Sequence, residues 1–270
     1  MSEKIVEYRG VEGLVAAELL TDDDDNLTYD TPFAIAGTAQ VQKVVANSSE
    51  AHYYDNIPAI VIEAEGADTI TLNVSALSLA VTGALTGQYY DADKGALSEG
   101  SREQKYFAIG YKTKKTDGSE MYVWRYKGTF QIPDVTSATE DAGTTANGQT
   151  LVYTGINTQH KFSATNKTAK GLVVDAGLEK TDVSAFFTAV TTIDNLVGKT
   201  ARTLTITQAA NTTLTVKKNG VTLTTGATVY DGDHIQITVT GGTVKVNNEA
   251  FTSGDIHVIT GNTTVVSTAT

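Results

Sequence analysis

Apolar and polar positions alternate most regularly between Tyr106 and Pro133, YFAIGYKTKKTDGSEMYVWRYKGTFQIP. Period two on both sides of Asp117-Gly118 predicts a long β-hairpin, because a two-residue type I′ turn needs positive φ at both central positions and this dipeptide supplies it. Such a turn pairs Tyr111 with Trp124, Ile109 with Tyr126 and Thr113 with Tyr122, and puts Phe107 and Phe130 on the same face. The opposite face then carries Lys112, Lys114, Arg125, Lys127, Thr129 and Gln131, as in a sheet with one side in water.

Upstream of the hairpin, EYRGVEGLVAAELL reads as a strand or a short helix. Asp22 to Asn26 forms a solvated loop, since an EF-hand counted from Asp22 needs Gly at 27 and Glu at 33 where the chain has Leu27 and Phe33. Phe33, Ile35, Val41, Val44 and Val45 outline a second strand region, which Asn47-Ser48-Ser49-Glu50 interrupts with a loop. The polar and aromatic stretch continues through Tyr53, Tyr54, Asp55, Asn56 and Pro58; an apolar Ala59 to Ala64 and a strand facing Ile70, Leu72 and Val74 inward follow. Ser75 then caps a helix with Leu77, Ala80, Val81 and Ala84 on one side and Gly83 or Gly87 as its stop. Residues 88–105 read as an exposed excursion.

After the hairpin comes a small polar stretch, then a strand around Leu151 to Tyr153. Thr181 or Asp182 caps a second helix, VSAFFTAVTTI, that turns Phe186, Phe187, Val190 and Ile193 to a core. A linker over roughly 195–202 separates two domains, 1–197 and 202–270. The last seventy residues contain 19 threonines and short apolar alternations between turn signals, the rhythm of a small all-β module. Asn219-Gly220 sets Val216 opposite Leu223, and Gly241-Gly242 sets Val239 opposite Val244 and Ile237 opposite Val246.

Composition removes several chemistries. The 270 residues include no cysteine, so disulfides, zinc-thiolate sites and thiol nucleophiles are absent, in keeping with a reducing cytosol. No run of 18 apolar residues suggests a membrane span. The net charge is −11; residues 1–60 hold eleven acids against Lys4, Arg9 and Lys43, and residues 201–270 are neutral. Such a chain lacks the basic patch that grips phosphates. His52, His160, His234 and His257 form no metal-ligand spacing, Ser98 sits in no G-x-S-x-G elbow, and no phosphate-cradling glycine motif follows a strand. No catalytic, metal or cofactor site is expected, and the row Tyr122, Trp124, Tyr126 reads as core packing ahead of a sugar platform.

Four stretches, in this order and spacing, carry a family resemblance: the acidic loop leading to Thr31-Pro32-Phe33, the Tyr54-Asp55-Asn56 loop, TITLNVSALSLAVTGALTG, and the hairpin itself. On these, residues 1 to about 195 resemble the major tail protein family of long, non-contractile-tailed phages of Gram-positive bacteria. The resemblance implies a mainly β chain: a β-sandwich tail-tube domain with a flanking helix. It also implies hexameric rings stacked into a tube, with Tyr53, Tyr54, Asp55 and Asn56 at a subunit interface. Implied partners are further copies of the chain, tape-measure, tail terminator and distal tail proteins, and double-stranded DNA that passes without specific binding. The implied location is the virion tail, reached through the host cytoplasm during assembly. An acidic lumen suits DNA passage, since phosphates must not be held. Residues 202–270 resemble the threonine-rich immunoglobulin-like modules of bacterial and phage surface proteins. A capsid decoration or fibre protein, or a carbohydrate-binding surface protein, is the alternative.

Overall fold

A computed structural model describes residues 5–135 and 148–269; the polar stretch at 136–147 lies outside the described residues. The chain is mainly β and divides into two compact units, Met1–Gly177 with Val183–Leu196, and Leu178–Asp182 with Val197–Thr270.

The first unit comprises β1 (Tyr8–Asp22), β2 (Leu27–Tyr29), β3 (Phe33–Ala34), β4 (Thr38–Tyr54), β5 (Ile57–Val74), α1 (Leu79–Thr86), β6 (Tyr90–Asp91), β7 (Ala96–Leu97), β8 (Phe107–Lys115), β9 (Glu120–Phe130), β10 (Gln149–Ile156) and β11 (Gly171–Asp175). Apart from the small β6-β7 ladder, these strands form one nine-stranded sheet in the order β2-β1-β8-β9-β10-β5-β4, with β3 on β1 and β11 on β9. The β8-β9 hairpin lies at its centre, as the alternation predicts. Val11 of β1 and Val41 of β4 pack on the same core as Ile70, Leu72, Phe107 and Tyr153, so the sheet curls around that core.

The hairpin's register differs from the expected one. Thr116, Asp117 and Gly118 make a three-residue connection, in which the Gly118 N–H donates to the Lys115 carbonyl (3.0 Å) and the Lys115 N–H to the Ser119 carbonyl (2.8 Å). Gly118 has φ +86°, whereas Asp117 does not have positive φ and instead accepts the Ser119 N–H at 3.0 Å. One extra loop residue shifts the pairing by one, to Tyr111 with Val123, Gly110 with Trp124 and Thr113 with Met121. Trp124 therefore points away from Tyr111. A bulge between Phe107 and Ile109 moves later residues of β9 across the sheet, so Phe130 joins Phe107, Ile109, Tyr111 and Val123 on one core. Ala108, Trp124 and Tyr126 join Phe162, Val174, Phe186 and Val190 on the other. Both faces of the hairpin are covered along its middle, so the expected wet face is reduced to its ends, where Lys114 and Gln131 stay exposed. Gly110 shows why this packs: a Cβ there would lie 3.0 Å from ring atoms of both Trp124 and Phe187.

Ser78, not Ser75, caps α1, its Oγ accepting the Val81 N–H at 3.2 Å, and Gly87 (φ +72°) ends it. Ser75 Oγ is occupied by the Gly37 N–H. The second expected helix is a run of turns. The Phe186 carbonyl, which a helix would offer to residue 190, accepts Trp124 Nε1 at 2.9 Å and Thr191 Oγ1 at 3.0 Å instead. Phe186 and Val190 are buried all the same.

In the second unit, β12 (Ala201–Thr207), β13 (Thr213–Lys218), β14 (Val221–Thr222), β15 (Thr228–Tyr230), β16 (His234–Thr240), β17 (Gly242–Val246), β18 (Glu249–Phe251), β19 (Ile256–Val258) and β20 (Thr263–Ala269) form two sheets. Their orders are β15-β12-β20-β17-β18 and β14-β13-β16-β19. Asn219 (φ +49°) and Gly220 (φ +80°) form the expected turn, with the Leu223 N–H on the Val216 carbonyl at 2.8 Å. Gly241-Gly242 does not make a hairpin. It carries the chain from one sheet to the other, and a Cβ at Gly241 or Gly242 would meet the Asn211 or Thr268 carbonyl at 2.5 or 2.1 Å. Val239 and Ile237 thus meet Val244 and Val246 across the core instead of beside them. Within this unit Leu178–Asp182 lies against the start of the C-terminal segment, the Asp182 N–H donating to Val197 and the Lys199 N–H to Lys180. The chain passes between the units three times, so 195–202 is not a lone linker.

Candidate assembly surface

The stretch expected to be a loop around Tyr53 and Tyr54 is the end of a long β-hairpin. Asp55 (φ +50°) and Asn56 (φ +64°) form a two-residue turn, a left-handed pair that these short polar side chains tolerate. Tyr54 pairs with Ile57 and Tyr53 with Pro58, and pairing continues to Thr38 and Val74 through bulges near Val45 and His52. The inner half is ordinary sheet, with Ile70, Leu72 and Val74 in the core. From residue 46 to 65 every residue is exposed, and the strands project as a two-stranded arm.

Asp68 stands where the arm leaves the core. Its buried carboxylate receives Lys43 Nζ and Lys170 Nζ, each at 2.9 Å, while Lys170 also donates to the Gly66 carbonyl at 2.7 Å. Burial acts to raise the Asp68 pKa, and the two ammonium groups outweigh it, holding the carboxyl below the ordinary value. Two cations on one acid anchor the arm's root.

Beyond that root the arm offers apolar surface on both faces. Tyr53 and Tyr54 are 65% and 62% exposed, and Ile57, Ile60, Val61 and Ile62 are more than half exposed. Among the described residues, edge strand β4 has no strand on its outer side along this length. An isolated two-stranded ribbon is marginal in water, and a long apolar edge invites pairing with another chain. Glu50, Asp55, Glu63 and Glu65 give the arm its only formal charges, and no Lys or Arg occurs between Lys43 and Lys94.

The hairpin residues singled out from the sequence have a different place. Ile109 and Tyr111 fill one core, Trp124 and Tyr126 the other, and Asp117-Gly118 shape the turn. The burial of Trp124 and Tyr126 excludes a sugar-stacking row. The lysines expected to face outward or toward a neighbour meet acids of their own chain: Lys112 reaches Glu12 at 2.8 Å and Glu120 at 3.2 Å, and Lys114 reaches Glu12 at 3.1 Å. Lys127 is paired with Asp22 at 2.6 Å in a largely enclosed site. Asp22 also accepts the Gln159 and His160 N–H groups, so it is a buried anchor and not part of a solvated loop. Burial again opposes ionisation, but Lys127 and these backbone donors lower its pKa overall. Sequence reasoning missed Ile57 and the Ile60–Ile62 run as surface; the missing alternation in that run was the available signal.

Among the described residues no helix is long and apolar enough to cross a membrane, and no three His, Asp or Glu side chains are grouped to hold a metal. No family model and no curated protein matches the chain.

Proposed function

We propose that the chain is a structural virion protein that polymerises as stacked hexameric rings into a phage tail tube, the conduit for DNA ejection. One observation carries this reading: an apolar arm and a long open sheet edge leave the first unit needing neighbours of its own kind. The family resemblance supplies the ring and the tube, and the acidic balance supports passage of DNA without retention. The second unit is an immunoglobulin-like accessory module on the tube, consistent with its own two-sheet core. Further partners in this reading are the tape-measure, tail terminator and distal tail proteins, with assembly in the host cytoplasm.

Negative-stain microscopy of the purified protein tests the proposal. Hollow polymers of uniform diameter are the expected result. A protein that stays monomeric at high concentration, binds preformed shells, or binds cell-wall sugar as a monomer overturns it in favour of the alternatives named above.

A further inference from the structure

In the second unit, β18 is the last strand of one sheet and β19 the last strand of the other, joined by residues 252–255. Ser253 fixes this connection to β16, its Oγ accepting the Val239 N–H at 2.8 Å and donating to the Val239 carbonyl at 3.0 Å. Along β19 the side chains run exposed, half-buried, exposed, so Ile256 and Val258 face solvent and His257 turns inward. Its ring meets Phe251 of β18, with centroids 6.0 Å apart and planes at 81°, and Phe251 packs on the core. His257 Nε2 is enclosed and, among the described residues, has no hydrogen-bond partner. A proton added here would bury a charge in an apolar seam. No neighbour offsets it: Asp255 ahead of β19, Glu249 on β18, Lys245 on β17 and His234 on β16 are all exposed. Asp233, at the start of β16, is committed to Lys218 Nζ at 2.6 Å and the Tyr230 N–H at 2.8 Å.

We propose that His257 is a proton-sensitive latch, which holds β19 on β16 while neutral and releases it when charged. β19 is short, and it meets β16 only through Val258 with His234, His257 with Ile235 and Ile256 with Gln236, so the seam against Phe251 is a large part of what keeps it in place. Its release makes β16 the sheet edge, with Ile235 and Ile237 of the core behind it, and such an uncovered edge is open to pairing with an added strand. Burial alone holds the imidazole below its ordinary pKa of 6.5. A released His257 therefore takes up a proton before a latched one does. The latch is fully effective above pH 6.5 and weakens as pH falls below that value, the opening equilibrium rising by up to about tenfold per pH unit. Carboxylates titrate at about 4, which leaves the range from about pH 5 upward to histidine.

Amide hydrogen exchange on the full-length chain, corrected for the intrinsic pH dependence of exchange, reads the latch at two N–H groups beside the β16-β19 ladder. These are Ile237, which donates to the Asp255 carbonyl, and Ile259, which donates to the Asp233 carbonyl. Between pH 6.5 and about 5 their protection should fall by up to about 30-fold, while amides of the β12-β20 ladder keep theirs. His257→Phe and His257→Gln chains carry no titrating group at this position and should hold their protection over the same range, whereas His234→Gln should behave as the wild type. The wild-type ring gives a second reading by NMR, which needs no variant to fold: the His257 imidazole should titrate with a midpoint below 6.5. A midpoint at or above that value, or wild-type protection that falls no more than in the His257→Phe chain, overturns the latch. Protection lost equally from both sheets overturns the release of β19 and assigns the effect to unfolding of the whole unit.

Discussion

Replacing Trp124 by alanine should destabilise the first unit by about 3 to 5 kcal/mol, the usual cost of truncating a large buried aromatic residue. The side chain is fully enclosed, its indole tilts on Phe187 with ring centroids 5.7 Å apart, and Nε1 donates to the Phe186 carbonyl. Losing that hydrogen bond adds little, because Thr191 Oγ1 still donates to the same carbonyl at 3.0 Å. A carbonyl left wholly unpaired would have added about 1 to 3 kcal/mol. For a unit of this size each kcal/mol moves the midpoint by about 2 to 4 °C, so Trp124→Ala should lower it by about 6 to 20 °C. Calorimetry is the assay, since two compact units need not melt together and Trp124, the only tryptophan, cannot report fluorescence in its own absence. The transition of the second unit serves as an internal control and should not move. A loss below about 1 kcal/mol would falsify the two-sided burial of the hairpin.

Gly110→Val forces atoms into a space 3.0 Å from two aromatic rings and should cost about 1 to 3 kcal/mol; a neutral result in urea unfolding would restore the two-residue turn register. Asp68 has a pKa lowered in the folded state, so its contribution is complete above the unfolded carboxylate pKa near 3.8 and is lost as pH falls below that value. Asp68→Asn should therefore flatten the decline in unit-one stability below about pH 4, and an unchanged slope refutes the assignment. Charge at the arm, as in Tyr53→Asp with Tyr54→Asp, should abolish polymers while circular dichroism stays native; normal tubes from that variant remove the arm from the assembly surface. Truncation after Leu196 should leave the first unit folded, whereas truncation after Gly177 strips Phe186 and Val190 from its core and should lower its melting temperature sharply; equal melting of the two fragments overturns the division.

The strands are legible where one face meets a core, and less so elsewhere. Ile70, Leu72 and Val74 alternate because their neighbours face away from packed side chains, and the pattern places them correctly. Ile60, Val61 and Ile62 do not alternate because both faces of the arm are exposed, so period two has nothing to report and the segment reads as loop and apolar run. Asp117-Gly118 marks a turn but not its length, which one glycine at positive φ serves equally well in a three-residue connection. The correct register is recoverable only from the space above Gly110. Gly241-Gly242 shows the same limit: flanking valines and isoleucines are apolar whether they pair within a sheet or meet across a core. Asp22 reads as solvated because its partners, Lys127, Gln159 and His160, lie more than a hundred residues away.

Three passages between the units also impose an order on synthesis. Trp124 and Tyr126 leave the ribosome long before Phe186 and Val190, the residues that close their face of the sheet. At about 5 to 20 residues per second, that face waits roughly 3 to 13 s with its aromatic residues uncovered. Leu178–Asp182 emerges within that interval and waits in turn for Val197 and Lys199, its first partners within the second unit. The nascent chain thus keeps the Trp124 face of the first unit uncovered until Phe186 and Val190 arrive, and that interval is where a chaperone would find it.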